Sequence, residues 1–196
     1  MLNIRDVQVY GLEAAMDYAR LPMLPLDNPL ECHEREEEDK KNGRAKRLAG
    51  VPTGTGHDNF LKGITVTFMI DFTVKAWVQA ERYNHLNFIS SMSTMHTLGK
   101  NPITRDMFSP YTDQGIIFAV QAVWRQYQVE PTADNLLRLL YSVPVGLKVP
   151  AAMVTNYQQL KTIYFQRRKH TLPEWKEFCK WIETLPYFKE WIIGDN

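Results

Sequence analysis

The sequence Ile64-Thr-Val-Thr-Phe-Met-Ile-Asp-Phe-Thr-Val-Lys-Ala-Trp-Val-Gln-Ala-Glu-Arg82 contains the two patterns that decide the fold class. Over Ile64–Ile70 the side chains alternate, and β-branched and aromatic residues are frequent, which predicts a strand. From residue 73 to 82 apolar residues recur at the spacing of one helix face, namely Val74, Trp77 and Val78. A strand followed directly by a helix indicates a protein of mixed α and β structure.

The chain beyond residue 112 is dominated by helical patterns. Apolar residues from Asp113 to Tyr127 have helical spacing, and Thr132 is placed to cap a helix that would bury Leu136, Leu137 and Leu140. Pro150 is predicted to begin a long helix to about His170, and Thr171 is predicted to cap the helix that follows. The expected fold class is therefore α+β, helix-rich, with a small antiparallel or mixed sheet.

The N-terminal part contains a predicted strand, a short helix and a charged segment. Leu2–Leu12 alternates loosely, and helical spacing follows around Glu13–Ala19. Glu31–Arg47 holds six acidic and six basic residues, acids first. This charge pattern predicts a solvated helix or a mobile insertion at about 31–50, with a partner-binding arm as the alternative. The length of 196 residues predicts one domain over 1–196.

Composition limits the function classes. Hydrophobic residues make up 44% of the chain, enough for a buried core, and the net charge of +1 disfavours a whole-protein electrostatic interaction with nucleic acid or anionic lipid. The two cysteines, Cys32 and Cys179, form neither a disulfide framework nor a zinc site. No uncharged apolar run approaches the roughly 18 residues that span a bilayer. We therefore expect a soluble cytoplasmic protein without a metal site or a membrane partner.

Two polar segments are candidates for a site. In Glu81–His96, four hydroxyl residues fall within five positions: Ser90, Ser91, Ser93 and Thr94. Such short donors suit a polar ligand such as a phosphate, and an ordinary Ser/Thr-rich turn is the alternative. In Thr155–His170, Asn156 and Arg167 are eleven residues apart, close to three helical turns, so they share a predicted helix face with Leu160 and Ile163.

An arginine at the end of an otherwise apolar face requires an anionic partner. A structural salt bridge and extension of the side chain into solvent are the alternatives for Arg167. Standard catalytic arrangements are absent from the sequence, because the five histidines lack metal-ligand spacing and no Gly-x-Ser-x-Gly motif occurs.

At these two segments the sequence resembles the flavin-dependent thymidylate synthase (ThyX) family. Phe68–Met95 can be laid without gaps on that family's strand, helix and signature stretch. The family's Asn-x-Arg-x-Leu pattern, followed seven residues later by Arg, falls on Asn156, Gln158, Leu160 and Arg167. The chain is also similar to a group of phage and gut-bacterial proteins with a Ser-x-Ser-Thr-Met-His core and an Arg-Arg-x-His-x-Leu-x-Glu-Trp helix. The resemblance implies a ThyX-like homotetramer with sites shared between subunits, in the cytoplasm of a bacterium or a phage-infected cell.

The resemblance also assigns residues to a nucleotide and to a flavin. Arg167 and Ser93 match residues that contact the pyrimidine nucleotide, and Ser91, Asn156 and Gln158 complete the expected nucleotide site. The flavin-binding Arg-His-Arg triplet falls on Tyr83, Asn84 and His85, the nucleotide-binding Gln on Ala80, the signature Glu on Ser91 and its Arg on Met95. Tyr and His do not reproduce the bidentate phosphate contacts of a guanidinium. The resemblance thus implies FAD as the cofactor, whereas the substitutions argue against it.

Two functions follow from this resemblance and its departures. The first is a divergent thymidylate-synthase-like methyltransferase acting at C5 of dUMP with reduced flavin and a folate one-carbon donor. The second is a non-catalytic, phage-encoded protein that sequesters a pyrimidine monophosphate or a signalling nucleotide in a regulatory or anti-defence role. A third hypothesis is a nucleic-acid or protein-binding module using the Glu31–Arg47 arm and the bases Lys161, Arg167, Arg168, Lys169 and Lys176. The near-zero net charge disfavours it.

Overall fold

The structure, a computed structural model, describes residues 2–24 and 37–194. A four-stranded sheet in the order β1-β2-β4-β3 lies at its centre, and every pairing is antiparallel. The strands are β1 (Ile4–Tyr10), β2 (Thr65–Thr73), β3 (Asn87–Ser91) and β4 (Lys148–Asn156). The predicted α+β class with a small sheet is confirmed.

Strand β2 forms the hydrophobic centre of this sheet. Its alternate residues Val66, Phe68, Ile70 and Phe72 are buried, as the period-two pattern predicts. It pairs with β4 over nine residues, from Thr65 opposite Asn156 to Thr73 opposite Lys148. The predicted strand is confirmed and extends to Thr73, whose hydroxyl accepts a hydrogen bond from the Ala76 N–H and begins the next helix.

The helices surround the sheet. They are α1 (Leu12–Tyr18), α2 (Glu38–Ala49), α3 (Val74–Ala80), α4 (Thr94–Thr97), α5 (Gln114–Val129), α6 (Ala133–Ser142), α7 (Tyr157–Arg167) and α8 (Pro173–Ile182). Short helical turns follow at Leu21–Met23, Asn59–Gly63, Arg105–Met107 and Lys189–Ile193. Asp113 and Thr132 cap α5 and α6 with their side chains. Among the described residues, no helix is long and apolar enough to cross a membrane.

Two hydrophobic clusters stabilise the fold. The main cluster lies between the sheet and α7 and α8, where Phe72 makes edge contacts with Trp175 and Phe178 at centroid distances of 5.1 and 5.7 Å. Edge-to-face pairs of this kind contribute about 0.5–1.5 kcal/mol beyond the area they bury. The second cluster lies under α5 and α6 and contains Leu98, Ile103, Phe108, Ile117, Val120, Leu139 and Leu147.

The predicted helix from Pro150 to His170 is wrong in its first part. Residues 148–156 form β4, which pairs with β2 on one side and β3 on the other. Pro150 has no N–H to donate, and its carbonyl accepts a hydrogen bond from the Met92 N–H just beyond β3. The helix begins only at Tyr157, after Asn156, whose side chain caps it by accepting from the Gln159 N–H.

Two smaller predictions about the helices are also wrong. Leu137 on α6 is 48% exposed, because the buried side of that helix is formed by Asn135 and Leu139. Thr171 does not cap α8: the N-cap is Leu172, and its N–H donates to Nδ1 of His170.

The charged segment is packed where the structure describes it. Residues 31–36, including Cys32, lie outside the described residues. In α2, Ala45 and Ala49 are buried in the main cluster, and Lys41 forms an ion pair with Asp17 at 2.6 Å. Residues 38–49 therefore form a partly exposed helix, which is the first of the two structures expected for this segment.

Candidate functional site

The end of α7 holds Arg167 in a group of polar and aromatic side chains that we call the Arg167 cluster: Gln79, Tyr83, Gln166, Arg167 and Trp175. Nε of Arg167 donates to the Tyr83 hydroxyl at 2.7 Å, and Nη1 reaches Oε1 of Gln79 at 3.5 Å. The guanidinium also lies over the rings of Trp175 and Tyr83, at 4.9 and 5.5 Å from the centroids. Contacts of this type contribute about 0.5–2 kcal/mol each.

The neighbours of Arg167 are themselves fixed. Trp175 is fully buried, and its Nε1 donates to the same Gln79 oxygen at 2.8 Å. The Tyr83 hydroxyl donates to Oε1 of Gln166 at 3.0 Å, so its lone pair is left to accept from Arg167. The orientation of the guanidinium is therefore set before any ligand binds.

The charge of Arg167 is not neutralised within the cluster. Among the described residues, no carboxylate forms an ion pair with it, and Nη2 has no hydrogen-bond partner. Burial lowers the pKa of the nearby His170, and the positive charges of Arg167 and Lys176 lower it further. The region is therefore electropositive, which favours an anion.

A second arrangement lies near the start of α7, where a cavity of about 280 Å³ separates the helix from the segment at residues 53–62. Its lining residues are Thr53, Gly54, Gly56, Asp58, Asn59, Lys62, His85, Gln158, Gln159 and Thr162. We call this the α7 cavity. Gln158 donates to Oδ1 of Asp58 at 3.2 Å. The structure thus brings together Gln158 and His85, which the sequence assigned to the nucleotide and the flavin respectively.

A buried ion pair fixes the wall of the α7 cavity. Lys161 and Asp58 are almost completely inaccessible, and Nζ of Lys161 lies 2.7 Å from Oδ2 of Asp58. The same ammonium donates to the carbonyls of Ala49 and Val51 at 2.8 and 2.5 Å. All three of its protons are thereby used. Lys161 cannot contact a nucleic acid, which corrects its place in the third hypothesis.

The other predicted site residues are not brought to Arg167 within one protomer. Asn156 is the N-cap of α7, at the opposite end of that helix. Ser91 ends β3 and Ser93 precedes α4; both are exposed, and neither hydroxyl bonds to the Arg167 cluster in the part of the chain described. Tyr83 belongs to the Arg167 cluster and Asn84 is exposed, so only His85 of the predicted flavin triplet lines the α7 cavity.

Three residues of the Arg167 cluster were missed by the sequence analysis. Gln79 lies on α3, four residues before Tyr83, which follows that helix, and this spacing was the available signal. The gapless match placed the family's glutamine on Ala80, but Ala80 is a buried apolar residue and Gln79 is the one that contacts Arg167. Trp175 lies in the matched Glu-Trp helix but was not assigned to the site, and Gln166 carried no signal of its own. No group of three or more potential metal ligands occurs among the described residues.

Comparison with solved structures identifies the fold of the chain. No protein-family model matches the chain, and no curated protein matches it in sequence. Solved structures do match it. Thymidylate synthase X from Helicobacter pylori, solved with FAD and dUMP, has a TM-score of 0.75 at 14% identity, over 100% of this chain and 98% of that one. The chain has the ThyX fold.

Two further structures agree with this fold. Another Helicobacter pylori ThyX complex with FAD and dUMP has a TM-score of 0.74 at 15% identity, over 97% of this chain and 99% of that one. The UMP/dUMP methylase PolB from Streptomyces cacaoi, bound with 5-Br dUMP, has a TM-score of 0.67 at 12% identity, over 99% and 92%. The ThyX-like fold expected from the sequence is thus confirmed across the full length of the chain.

The flavin that accompanies the ThyX fold does not fit the α7 cavity of one protomer. Lys62 is the one freely exposed cation among its lining residues, and a dinucleotide diphosphate needs more positive charge than this. We therefore derive no flavin-dependent step from these residues.

Proposed function

We propose that this protein binds a pyrimidine nucleoside monophosphate and that Arg167 is its principal anion contact. The observation that carries the proposal is the Arg167 cluster: a half-buried guanidinium, oriented by two rings and two oxygen acceptors, with no carboxylate paired to it among the described residues. An arginine held in this way can donate to a phosphate or to a pyrimidine carbonyl with a charge-assisted hydrogen bond.

The choice of ligand is supported by the proteins that share the fold. The two ThyX structures contain dUMP, and PolB, a UMP/dUMP methylase, is bound with 5-Br dUMP. Uridine monophosphates are therefore the first ligands to test. The proposal is for binding alone, because Tyr83, which stands where the family has a flavin-binding residue, accepts from Arg167 and donates to Gln166 instead.

The site is proposed to be completed by a second copy of the chain. Ser91 and Ser93 lie on the exposed edge of the sheet and do not meet Arg167 in their own protomer. In a homotetramer with shared sites, these serines of one protomer would donate to the nucleotide held by Arg167 of another. Asn156 would act indirectly by capping α7, and Gln158 by holding the start of that helix against Asp58.

Calorimetry with dUMP, UMP, a purine monophosphate and cyclic nucleotides tests the proposal. Arg167→Ala should weaken binding of the preferred pyrimidine nucleotide by about 1.5–3 kcal/mol, the value of a hydrogen bond to a charged group. Arg167→Lys should restore little of this, because an ammonium lacks the planar fork. Arg168, exposed and stacked on Phe165, is the matched control and should tolerate alanine.

No heat of binding with any of these nucleotides at millimolar concentration would refute nucleotide binding, and equal tolerance of alanine at 167 and 168 would refute Arg167 as the principal contact. An absorbance spectrum of the purified protein distinguishes the enzyme hypothesis. A flavin band, or uptake of added FAD, would extend the function to that of a flavin-dependent methyltransferase.

A further inference from the structure

Helix α5 is apolar on two opposite sides. Its inner side carries Ile117 and Val120, which are buried in the second hydrophobic cluster. At about 100° per residue, the opposite side is formed by residues that are all exposed: Gly115, Phe118, Ala119, Ala122, Gln126 and Val129. We call this the outer face of α5. Phe118 is 59% exposed and Val129 is 87% exposed. A helix that is apolar all round is normally buried, so this face calls for a covering surface that the described residues of one protomer do not supply.

The charge of the outer face distinguishes it from ordinary helix surface. Its one polar side chain is the Gln126 amide, and Arg125 lies at its edge. By contrast, α8 exposes Lys176 and Lys180 to solvent. Depletion of charge is typical of the core of a protein interface. A helix that lies on a membrane instead carries a polar side rich in lysine and arginine, whereas the other side of α5 is buried and apolar. The composition therefore favours a protein partner.

The outer face is complementary to itself in size. Gly115 and Val129 lie seven residues before and seven residues after Ala122. If two copies of α5 cross antiparallel with Ala122 at the centre, Gly115 of one copy lies opposite Val129 of the other. The smallest residue of the face thus meets one of its largest, which lets the two helices approach closely without leaving a gap.

The edges of the outer face are complementary as well. In the same antiparallel crossing, Phe118 of one copy lies beside Arg125 of the other, because both are on one edge of the face, three or four residues from its centre. A guanidinium beside an aromatic ring is attractive. On the other edge, Ala119 of one copy lies beside Gln126 of the other, again a small residue against a larger one. The face therefore fits a second copy of itself.

We infer that the outer face of α5 binds the same face of a second copy of this chain, antiparallel, with a two-fold axis at Ala122. A contact limited to one pair of helices buries less than the roughly 800 Å² per partner of a standard interface, so we place it within the expected tetramer rather than in an isolated dimer. A tetramer with two-fold symmetry needs two different interfaces, and α5 supplies one that is distinct from the sheet edge carrying Ser91. The contact shares no residue with the Arg167 cluster, so it does not depend on nucleotide binding.

Disulfide trapping tests the position and direction of this contact. In a Cys32→Ser background, where the remaining Cys179 is buried, Ala122→Cys places one thiol per chain at the proposed axis. Helices packed about 8–10 Å apart bring the two Cα atoms within the roughly 7 Å that a disulfide allows. We expect mild oxidation at micromolar concentration to convert most of this variant into a covalent dimer. Ala133→Cys, the same change at an exposed position on α6, should stay uncrosslinked. Val129→Cys should also stay uncrosslinked, because an antiparallel crossing places it about 21 Å along the helix from its own copy.

Light scattering gives a second test that needs no cysteine. Ala122→Glu should halve the mass of the assembled protein, because two carboxylates would be buried together at the axis, whereas Ala133→Glu should leave the mass unchanged. Both alanines are exposed in the protomer, so neither change disturbs its core. Binding of dUMP should be retained in Ala122→Glu, since the sheet edge with Ser91 is intact, which separates this proposal from the nucleotide site. Crosslinking at 122 no greater than at 133 or 129, an unchanged mass for Ala122→Glu, or an unmodified protein that is a monomer would overturn it.

Discussion

Tyr83 illustrates how one hydroxyl can orient a charge that it does not neutralise. Its oxygen accepts from Arg167 and its proton goes to Gln166. Tyr83→Phe keeps the ring under the guanidinium but removes both hydrogen bonds. We expect nucleotide binding to weaken by about 0.5–1.5 kcal/mol, less than in Arg167→Ala, because the hydroxyl positions the arginine without touching the ligand. Calorimetry with dUMP measures this, with the exposed Tyr141→Phe as control. A loss larger than that of Arg167→Ala would contradict a positioning role.

His170 links the stability of the α7–α8 turn to pH. Its pKa is lowered by burial and by the charges of Arg167 and Lys176, and its Nδ1 accepts the Leu172 N–H. The unfolded state therefore binds a proton more readily than the folded state. This contribution to stability is complete above the ordinary histidine pKa of about 6.5 and is lost as the pH falls below it.

His170→Asn should thus flatten the decrease in unfolding free energy between about pH 7 and pH 5, measured by urea denaturation. His96→Asn, at an exposed position in α4, is the control and should leave the slope as in the original chain. Equal slopes for His170→Asn and the unmodified protein would show that the imidazole has no role in the pH dependence.

Cys179 is expected to be chemically inert in the native state. Burial raises the pKa of its thiol to about 12, so the reactive thiolate is scarce at neutral pH. Peptide-resolved mass spectrometry after iodoacetamide treatment should find Cys179 alkylated only slowly until urea unfolds the protein. Rapid alkylation under native conditions would mean that α8 opens locally, which its buried Trp175 and Phe178 argue against.

At the level of elements, the Lys161–Asp58 pair ties three segments together: the end of α2, the loop after it and the middle of α7. Lys161→Met leaves Asp58 as a buried charge without its cation, and we expect a loss of about 3–5 kcal/mol in unfolding free energy. Adding Asp58→Asn should recover part of that loss, because the unpaired charge is gone. Urea denaturation measures both, with the exposed Lys62→Met as control. If the double variant has the same unfolding free energy as Lys161→Met alone, the lost hydrogen bonds to the two carbonyls, and not the unpaired charge, cause most of the destabilisation.

Elements with strong local periodicity could be predicted, whereas elements defined by long-range pairing could not. Strand β2 and helix α5 carry their patterns within their own sequences. Strand β4 was mistaken for helix because its identity depends on partners such as Thr65, opposite Asn156 and 91 positions away in sequence. Strand β3 is exposed along its whole length, so neither of its faces is selected to be apolar and its sequence carries no alternating pattern.

The residues of the candidate site also differ in whether the local sequence could predict them. Arg167 was predicted from the sequence because helical spacing places it at the end of an apolar face, where a charged side chain needs a polar or anionic partner. Gln79 and Trp175 contact it from α3 and α8, and only the packing of those helices against α7 brings the three together. Asn156 was predicted to share a helix face with Arg167. Because β4 ends at Asn156, this residue is instead the N-cap of α7.

On the scale of the whole molecule, the β3 edge of the sheet is one of the exposed apolar surfaces. Strand β3 is an edge strand, and Phe88, Ile89 and the neighbouring Met95 on α4 are exposed. An exposed edge strand with apolar side chains is a ready surface for association. The same edge carries Ser91, so association there would place the serines at a shared site.

We therefore expect size-exclusion chromatography with light scattering to give a mass of four times 22.8 kDa. Ile89→Glu should shift the protein to a smaller species, because a carboxylate at the edge strand cannot be buried without a partner. It should also weaken dUMP binding, since the serines of the second protomer are lost. Leu137→Glu changes an equally apolar, exposed side chain on α6 and should alter neither property. If the unmodified protein is a monomer that still binds dUMP, the shared site is refuted and Arg167 remains the nucleotide contact; if the unmodified protein is a monomer that binds no nucleotide, both proposals are refuted.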